Sequence, residues 1–218
     1  MKRTVCLLAL AFVMTGCGAL KWSGKGTNGS GVIKTEKREV GAFSSVDVSG
    51  AYEVEIVCQK QPGLEVEGDD NILPLVQTYV KNSTLYITSE KGFNVKRAIK
   101  VRVSTNNIDG VSSSGASQIT IDGVKNEQLM IETSGASKID ASGETKSVEI
   151  ESSGASKVDV RDLRAARVKV SLSGAGHANI YASEEVNADV SGASSVTYYG
   201  DPKVVNKSVS GAGSINKG

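Results

Sequence analysis

From Val111 onward the apolar positions fall on alternate residues, and the alternation restarts at a nearly fixed interval. The register is set by Gly115, Gly135, Gly154, Gly174, Gly192 and Gly211, which are separated by 20, 19, 20, 18 and 19 residues. Six residues before the glycine stand Leu129, Val148, Val168, Val186 and Val205. Four before it are Val111, Ile131, Ile150, Val170 and Ala188, and two before it are Ser113, Thr133, Ser152, Leu172, Val190 and Val209. Polar residues such as Glu132, Glu149, Glu151, Lys169 and Asp189 fill the positions between. Past the glycine the alternation resumes with Ile119, Ile139, Val158, Ala178, Val196 and Ile215, then Ile121, Ala141, Val160, Ile180 and Tyr198. Period two over these lengths is a strand with one buried face.

Each repeat therefore reads as strand, corner, strand and a polar return ("GVKNEQ", "SGETKS", "DLRAAR"). Nothing in it is long enough for a stable crossover helix; "RDLRAARV" would be marginal. At about 3.3 Å per residue, one repeat wraps roughly three short sides around a narrow core, with successive coils ~4.8 Å apart. The pattern predicts an all-β chain: a parallel β-helix of about 19-residue coils, right-handed by the chirality of parallel connections.

The glycines lie in the triplet Ser-Gly-Ala, which occurs seven times. A bend between two strands needs a residue that tolerates positive φ, and stacking bends needs small neighbours. The triplet is thus a corner piece. A nucleophilic reading of its serines would require a histidine beside one copy, and the whole chain has one His.

Residues 32–105 lack the period but alternate in "FSSVDVSGAYEVEIVCQ", "LEVEG", "TLYITSE" and "AIKVRVS". They predict an N-terminal β-rich portion capping the regular coils of 106–218. "DDNILPLVQTYV" at 69–80 suggests a short helix, with Asp70 or Asn71 as its cap and Pro74 early in it. An isolated Ser-Gly-Ala at Gly50 suggests that the same wall begins there, with an insertion after it.

The first residues change the picture from fold to location. Lys2 and Arg3 precede an apolar run from Val5 to Met14, too short for a spanning helix and suited to a signal peptide over 1–16. Met14-Thr15-Gly16-Cys17 resembles the bacterial lipobox, which implies lipid attachment at Cys17 and a membrane-anchored protein. Residues 17–31, rich in Gly and Ser, read as the lipidated end and a flexible tether. No acidic cluster follows Cys17, which by resemblance to known sorting signals favours the outer membrane and its periplasmic face over the surface. With Cys6 in the signal peptide and Cys17 lipidated, Cys58 is left alone, so neither an internal disulfide nor a cysteine metal site is expected. Cys58 falls on the apolar phase of its strand and reads as buried.

Net charge is +1 with both signs interspersed, which leaves no basic patch for nucleic acid. Two outward columns carry the remaining chemistry. One runs through Lys138, Lys157 and His177; the next runs through Asp140 and Asp159, which should stand about one coil apart. Carboxylates so placed, with Lys157 and His177 beside them, form the candidate catalytic set of a polysaccharide-cleaving hydrolase or lyase. The same residues also read as a self-neutralised ladder, with Lys138 and Lys157 against the aspartates. A calcium site from Asp140, Asp159 and Asn179 lacks the Gly-rich, Asp-containing nonapeptide. No metal or cofactor is expected. Tyr181 and Tyr199 are candidates for stacking on sugar rings, with Lys138 and Lys157 as further binding candidates. Lys207 and Lys217 fall in columns that are apolar in most earlier coils; they suit an edge-blunting role on the last rung, which is otherwise an oligomer contact.

The order of "FSSVDVSGAYEVEIV", "DDNILPLVQTYVKNSTLYIT" and the "SGAS" coils resembles the head GIN domain family, described as putative auto-transporter adhesin, over about residues 38–215. The resemblance implies a right-handed β-helical, lipid-anchored envelope protein and brings no catalytic motif. The reading favoured is a non-enzymatic interaction role, adhesion or binding of a glycan or envelope protein. The alternatives are the hydrolase or lyase on the Asp140/Asp159 face and a purely structural spacer.

Overall fold

The computed structural model describes residues 26–218. The expected signal peptide over 1–16, Cys17 and the first part of the expected tether lie outside the described residues. The N-terminal portion holds β1 (Thr27–Asn28), β2 (Ile33–Arg38), β3 (Ser45–Gly50), β4 (Tyr52–Val57), β5 (Gly63–Asp69), β6 (Val76–Lys81), β7 (Thr84–Ser89), β8 (Phe93–Asn94) and β9 (Ile99–Ser104). The coils follow as β10 (Gly110–Gly115), β11 (Gln118–Gly135), β12 (Lys138–Gly154), β13 (Lys157–Gly174) and β14 (His177–Gly192). The last coils are β15 (Ser195–Tyr199), β16 (Val204–Gly211) and β17 (Ser214–Lys217).

The chain is a parallel β-helix of about five turns. Strands β11 to β14 each run from one Ser-Gly-Ala corner to the next and pair in parallel with the coil on either side. The repeat columns of the sequence are the register of the structure: Val111 pairs with Ile131, Ile131 with Ile150, Ile150 with Val170 and Val170 with Ala188. These side chains point inward and are buried, as are Ile119, Ile139, Val158, Ala178 and Val196. Each such Val or Ile burial contributes about 1.5–3 kcal/mol, and each alanine less. The polar return also forms strand, after a register shift, and buries Val124, Leu163, Ala165 and Ala182 as a third side of the core.

The corner shows why glycine recurs. Gly154 has φ 122°, and a Cβ there would lie less than 3.0 Å from the carbonyl oxygen of Gly135 in the coil below. That carbonyl accepts the Ala155 N–H at 2.8 Å, so a side chain would strain the backbone and block a ladder bond together. The Ser and Ala of the triplet face outward. The residue after the Ala faces inward: Ser117, Ser137, Ser156 and Ser194 are all buried. Their hydroxyls are satisfied within the seam: Ser137 shares a 2.7 Å bond with Ser113, Ser117 donates to the Gly50 carbonyl at 3.1 Å, and Ser194 accepts the Gly176 N–H at 3.1 Å.

Gly50 does stack beneath Gly115, because β3 pairs with β10 in the corner register. On that wall β7 lies parallel to β3, and β6 then pairs antiparallel with β7. On the next wall β9 is parallel to β4, whereas β5 and β2 turn antiparallel. The N-terminal end is thus closed by antiparallel strands over Ile72, Leu73, Leu85 and Ile99. The short helix expected over 69–80 does not form. A three-residue 3-10 turn, Leu73–Leu75, stands there, and residues 76–81 become β6. The physical reason is the alternation of "VQTYVK", which finds a partner strand across a two-residue turn at Asn82 and Ser83, both with positive φ.

The last residues of the tether stretch are held to this end. Thr27–Asn28 pair with Phe93–Asn94, and the Ser30 hydroxyl donates to Asp70 at 2.6 Å. At the other end, Lys207 lies across the open core: its Nζ donates to the Ile215 carbonyl at 3.2 Å and sits 4.7 Å from the Tyr198 ring. Lys217 pairs with Asp201 at 2.7 Å. Val204 and Val209 on this rung remain exposed.

Candidate functional site: two outer faces on one coil

The second wall carries the residues singled out from the sequence. Lys138, Lys157 and His177 are register partners in succession, as are Asp140, Asp159 and Asn179. The structure brings them together and also engages them with one another. Lys138 Nζ pairs with Asp140 at 2.7 Å, the Asn179 amide donates to Asp159 at 2.9 Å, and His177 Nδ1 shares a 2.5 Å hydrogen bond with Ser195. Asp140 and Asp159 thus each have a partner from a neighbouring position of the ladder, while Lys157 is in no ion pair among the described residues.

Tyr181 and Tyr199 are register partners on neighbouring coils of the same wall. Arg164 lies 4.3 Å from the ring centroid of Tyr181, and Arg161 lies 5.5 Å from that of Tyr199. Each ring has a guanidinium over one face, an internal cation–π contact. Cys58 is buried, and burial with Asp122 nearby pushes its thiol up to about 11. It stays protonated and takes no part in the surface.

The first wall, built on β3, β10 and the segments of β11 to β14 before each corner, has a different outer face. One row runs Tyr79, Tyr86, Asp47, Ser112, Glu132, Glu151, Ser171 and Asp189, each the register partner of the next. Beside it runs a row of serines, among them Ser114, Ser134, Ser153 and Ser173. Small side chains between larger ones leave a groove of about 460 Å³ lined by Asp47, Ser112, Ser114, Glu132 and Glu151. Among the described residues none of Asp47, Glu132 and Glu151 is in an ion pair. Lys169, one row over, is held by Glu149 at 2.5 Å. Partial burial raises the Asp47 carboxyl, and the Glu132 charge raises it further.

At the head of the groove, one strand beyond Asp47, the rings of Tyr79 and Tyr86 stack at 5.1 Å with an interplanar angle of 15°. Tyr79 is 46% exposed. A helix over 69–80 would separate the two tyrosines; the hairpin of β6 and β7 brings them together. The available signal was their symmetry about Asn82-Ser83 in "YVKNSTLY", the mark of a hairpin with both rings on one face.

The family model described as putative auto-transporter adhesin, head GIN domain, matches residues 42–202. The chain belongs to the head GIN domain family. Among solved structures it is similar to a putative adhesin from Bacteroides fragilis, with 25% identity and a TM-score of 0.75 over 88% of this chain and all of that one. A putative lipid binding protein from Parabacteroides distasonis shares the fold at 19% identity and a TM-score of 0.57, covering 89% of this chain and 100% of that one. A putative adhesin from Parabacteroides merdae does so at 16% and 0.56, covering 88% and 98%. No curated protein matches the chain. In this head GIN domain the serine- and carboxylate-lined groove covers β3 and β10 to β13, so it is assembled from the repeat itself.

Proposed function

We propose that this head GIN domain is an adhesin-like binding protein of the cell envelope, tethered through lipid on Cys17, that engages its ligand with the outer face of the first wall. The observation that supports the reading is the contrast in satisfaction between the two faces. On the second wall Asp140 is held by a lysine and Asp159 by a carboxamide. On the first, none of Asp47, Glu132 and Glu151 is in an ion pair among the described residues, Glu132 accepting only the Ser112 hydroxyl, and their groove runs toward the stacked tyrosines beyond Asp47. Unpaired like charges held a coil apart weaken the fold slightly, which fits groups kept for an external partner. The neighbours called adhesins support the same direction. The short "MTGC" signal supports the anchor, and the plain residues after it favour the periplasmic face of the outer membrane.

The test uses the full-length protein in two assays. Cys17→Ser should move it from the membrane fraction to the soluble fraction. Attachment of the purified protein to envelope preparations or a glycan array should fall with Glu132→Lys/Glu151→Lys and be unchanged with Asp159→Asn. Equal loss from both faces, or from neither, would refute the assignment to this face.

A further inference from the structure

The row through the groove changes character along its length: two stacked rings, then the short side chains of Asp47 and Ser112, then Glu132 and Glu151. Three features narrow what can lie there. Coils stacked in register make the row straight, rising ~4.8 Å per residue, which suits a linear chain more than a rounded epitope. The exposed ring of Tyr79 supplies an aromatic surface on which the carbon face of a sugar can pack. The adjacent serine row offers hydroxyls that both donate and accept, as a polyhydroxylated chain requires.

The sign of the charge narrows it again. The groove holds three carboxylates with no ion pair among the described residues, so an anionic polymer is repelled and a cationic one attracted. An ammonium beside a tyrosine ring and a carboxylate is held by both, through the ring quadrupole and a charge-assisted hydrogen bond. Resting on the reading of this face as the binding surface, we propose that the groove binds a linear glycan carrying free amino groups. One sugar lies at the Tyr79/Tyr86 head, the amino groups meet Asp47, Glu132 and Glu151, and the sugar hydroxyls meet the serine row.

The experiment is calorimetric titration of the full-length protein in detergent with a short glucosamine oligomer. Its fully N-acetylated counterpart, an oligogalacturonate and oligolysine serve as comparison probes. The glucosamine oligomer should bind, less tightly as salt rises, with the acetylated form about tenfold weaker and the oligogalacturonate inert. Tyr79→Ala should weaken binding roughly tenfold. The near-isosteric Glu132→Gln/Glu151→Gln should erase the preference for the amine, and Asp159→Asn should change nothing. If Tyr86→Ala fails to fold, exposed Tyr79 and the glutamine variants still decide the matter.

Equal binding of the amino and acetylated forms would overturn the proposal. So would oligolysine binding more tightly and without regard to Tyr79, which would make the ligand a basic peptide. If no sugar binds while Glu132→Lys/Glu151→Lys still lowers envelope attachment, the glycan is wrong and the face is right. If those variants leave attachment intact as well, both fail.

Discussion

The two outer faces of this β-helix are made by the same coils at the same spacing, yet they handle charge in opposite ways. On the second wall the lysine column stands next to the aspartate column, so Lys138 reaches Asp140 and the ladder neutralises itself. On the first wall the carboxylate row stands between serines, which can hydrogen-bond to an acid but cannot cancel it, and a row whose one lysine, Lys169, is held by Glu149; Ser112 donates to Glu132 at 3.0 Å. The aromatic residues follow the same division. Tyr181 and Tyr199 lie beneath arginines, whereas Tyr79 and Tyr86 stack on each other, and Tyr79 meets solvent. A repeat can thus carry an inert face and an available face on one core, because the two faces are set by independent columns of the same coil.

The comparison breaks most completely at the corner, which both faces share. Gly154→Val should cost more than about 3 kcal/mol through backbone strain and the clash with Gly135, removing binding and fold together. A urea melt unchanged from the parent would contradict the stacked-corner account. Ile131→Ala, inside the core behind the groove, should cost about 2–5 kcal/mol by the same measurement.

Changes confined to one face should separate the two. On the second wall, Lys138→Ala removes a half-exposed pair worth no more than about 1 kcal/mol and should leave binding untouched. On the first, Asp47→Asn should slightly stabilise the protein, with a pH dependence of definite sign. The folded state raises the Asp47 carboxyl above its ordinary value. Its contribution is therefore fully present below the unfolded pKa and is lost as pH rises through the folded one. The variant should gain on the parent at neutral pH and match it in acid, which paired urea melts at the two pH values will read. The smallest effect concerns Cys58: its raised thiol should leave the native protein unreactive to a thiol reagent at mildly alkaline pH, and unfolding should release the reactivity. Rapid native labelling would contradict its burial.

Much of this architecture was legible in the chain. The columns of Val111, Ile131, Ile150 and Val170 identified the inward face, and the recurring glycine identified the corner, because both follow from local constraints that repeat every coil. The expected stacking of Gly50 under Gly115 was legible for the same reason, although the two glycines lie 65 positions apart. The stretch 69–80 misled, since Asp, Asn and an early Pro mimic a helix start while the β-branched alternation that follows belongs to a hairpin. The candidate site was harder still. Asp140 and Asp159 were correctly placed on adjacent coils, but their partners depend on side-chain reach between neighbouring columns.

Sequence alone determined which residues point inward, where the backbone must bend and how far apart the coils lie, because steric and hydrophobic periodicity act over a few residues. Only the tertiary structure decided which outward charges cancel and which remain, and that Tyr79 and Tyr86 head the carboxylate row of Asp47, Glu132 and Glu151. Those outcomes depend on side-chain reach between neighbouring columns and on pairings between segments far apart in the chain: Ser112, Glu132 and Glu151 share the coil period, whereas Tyr86 and Tyr79 join their row through the pairing of β3 with β7 and of β7 with β6, outside that period.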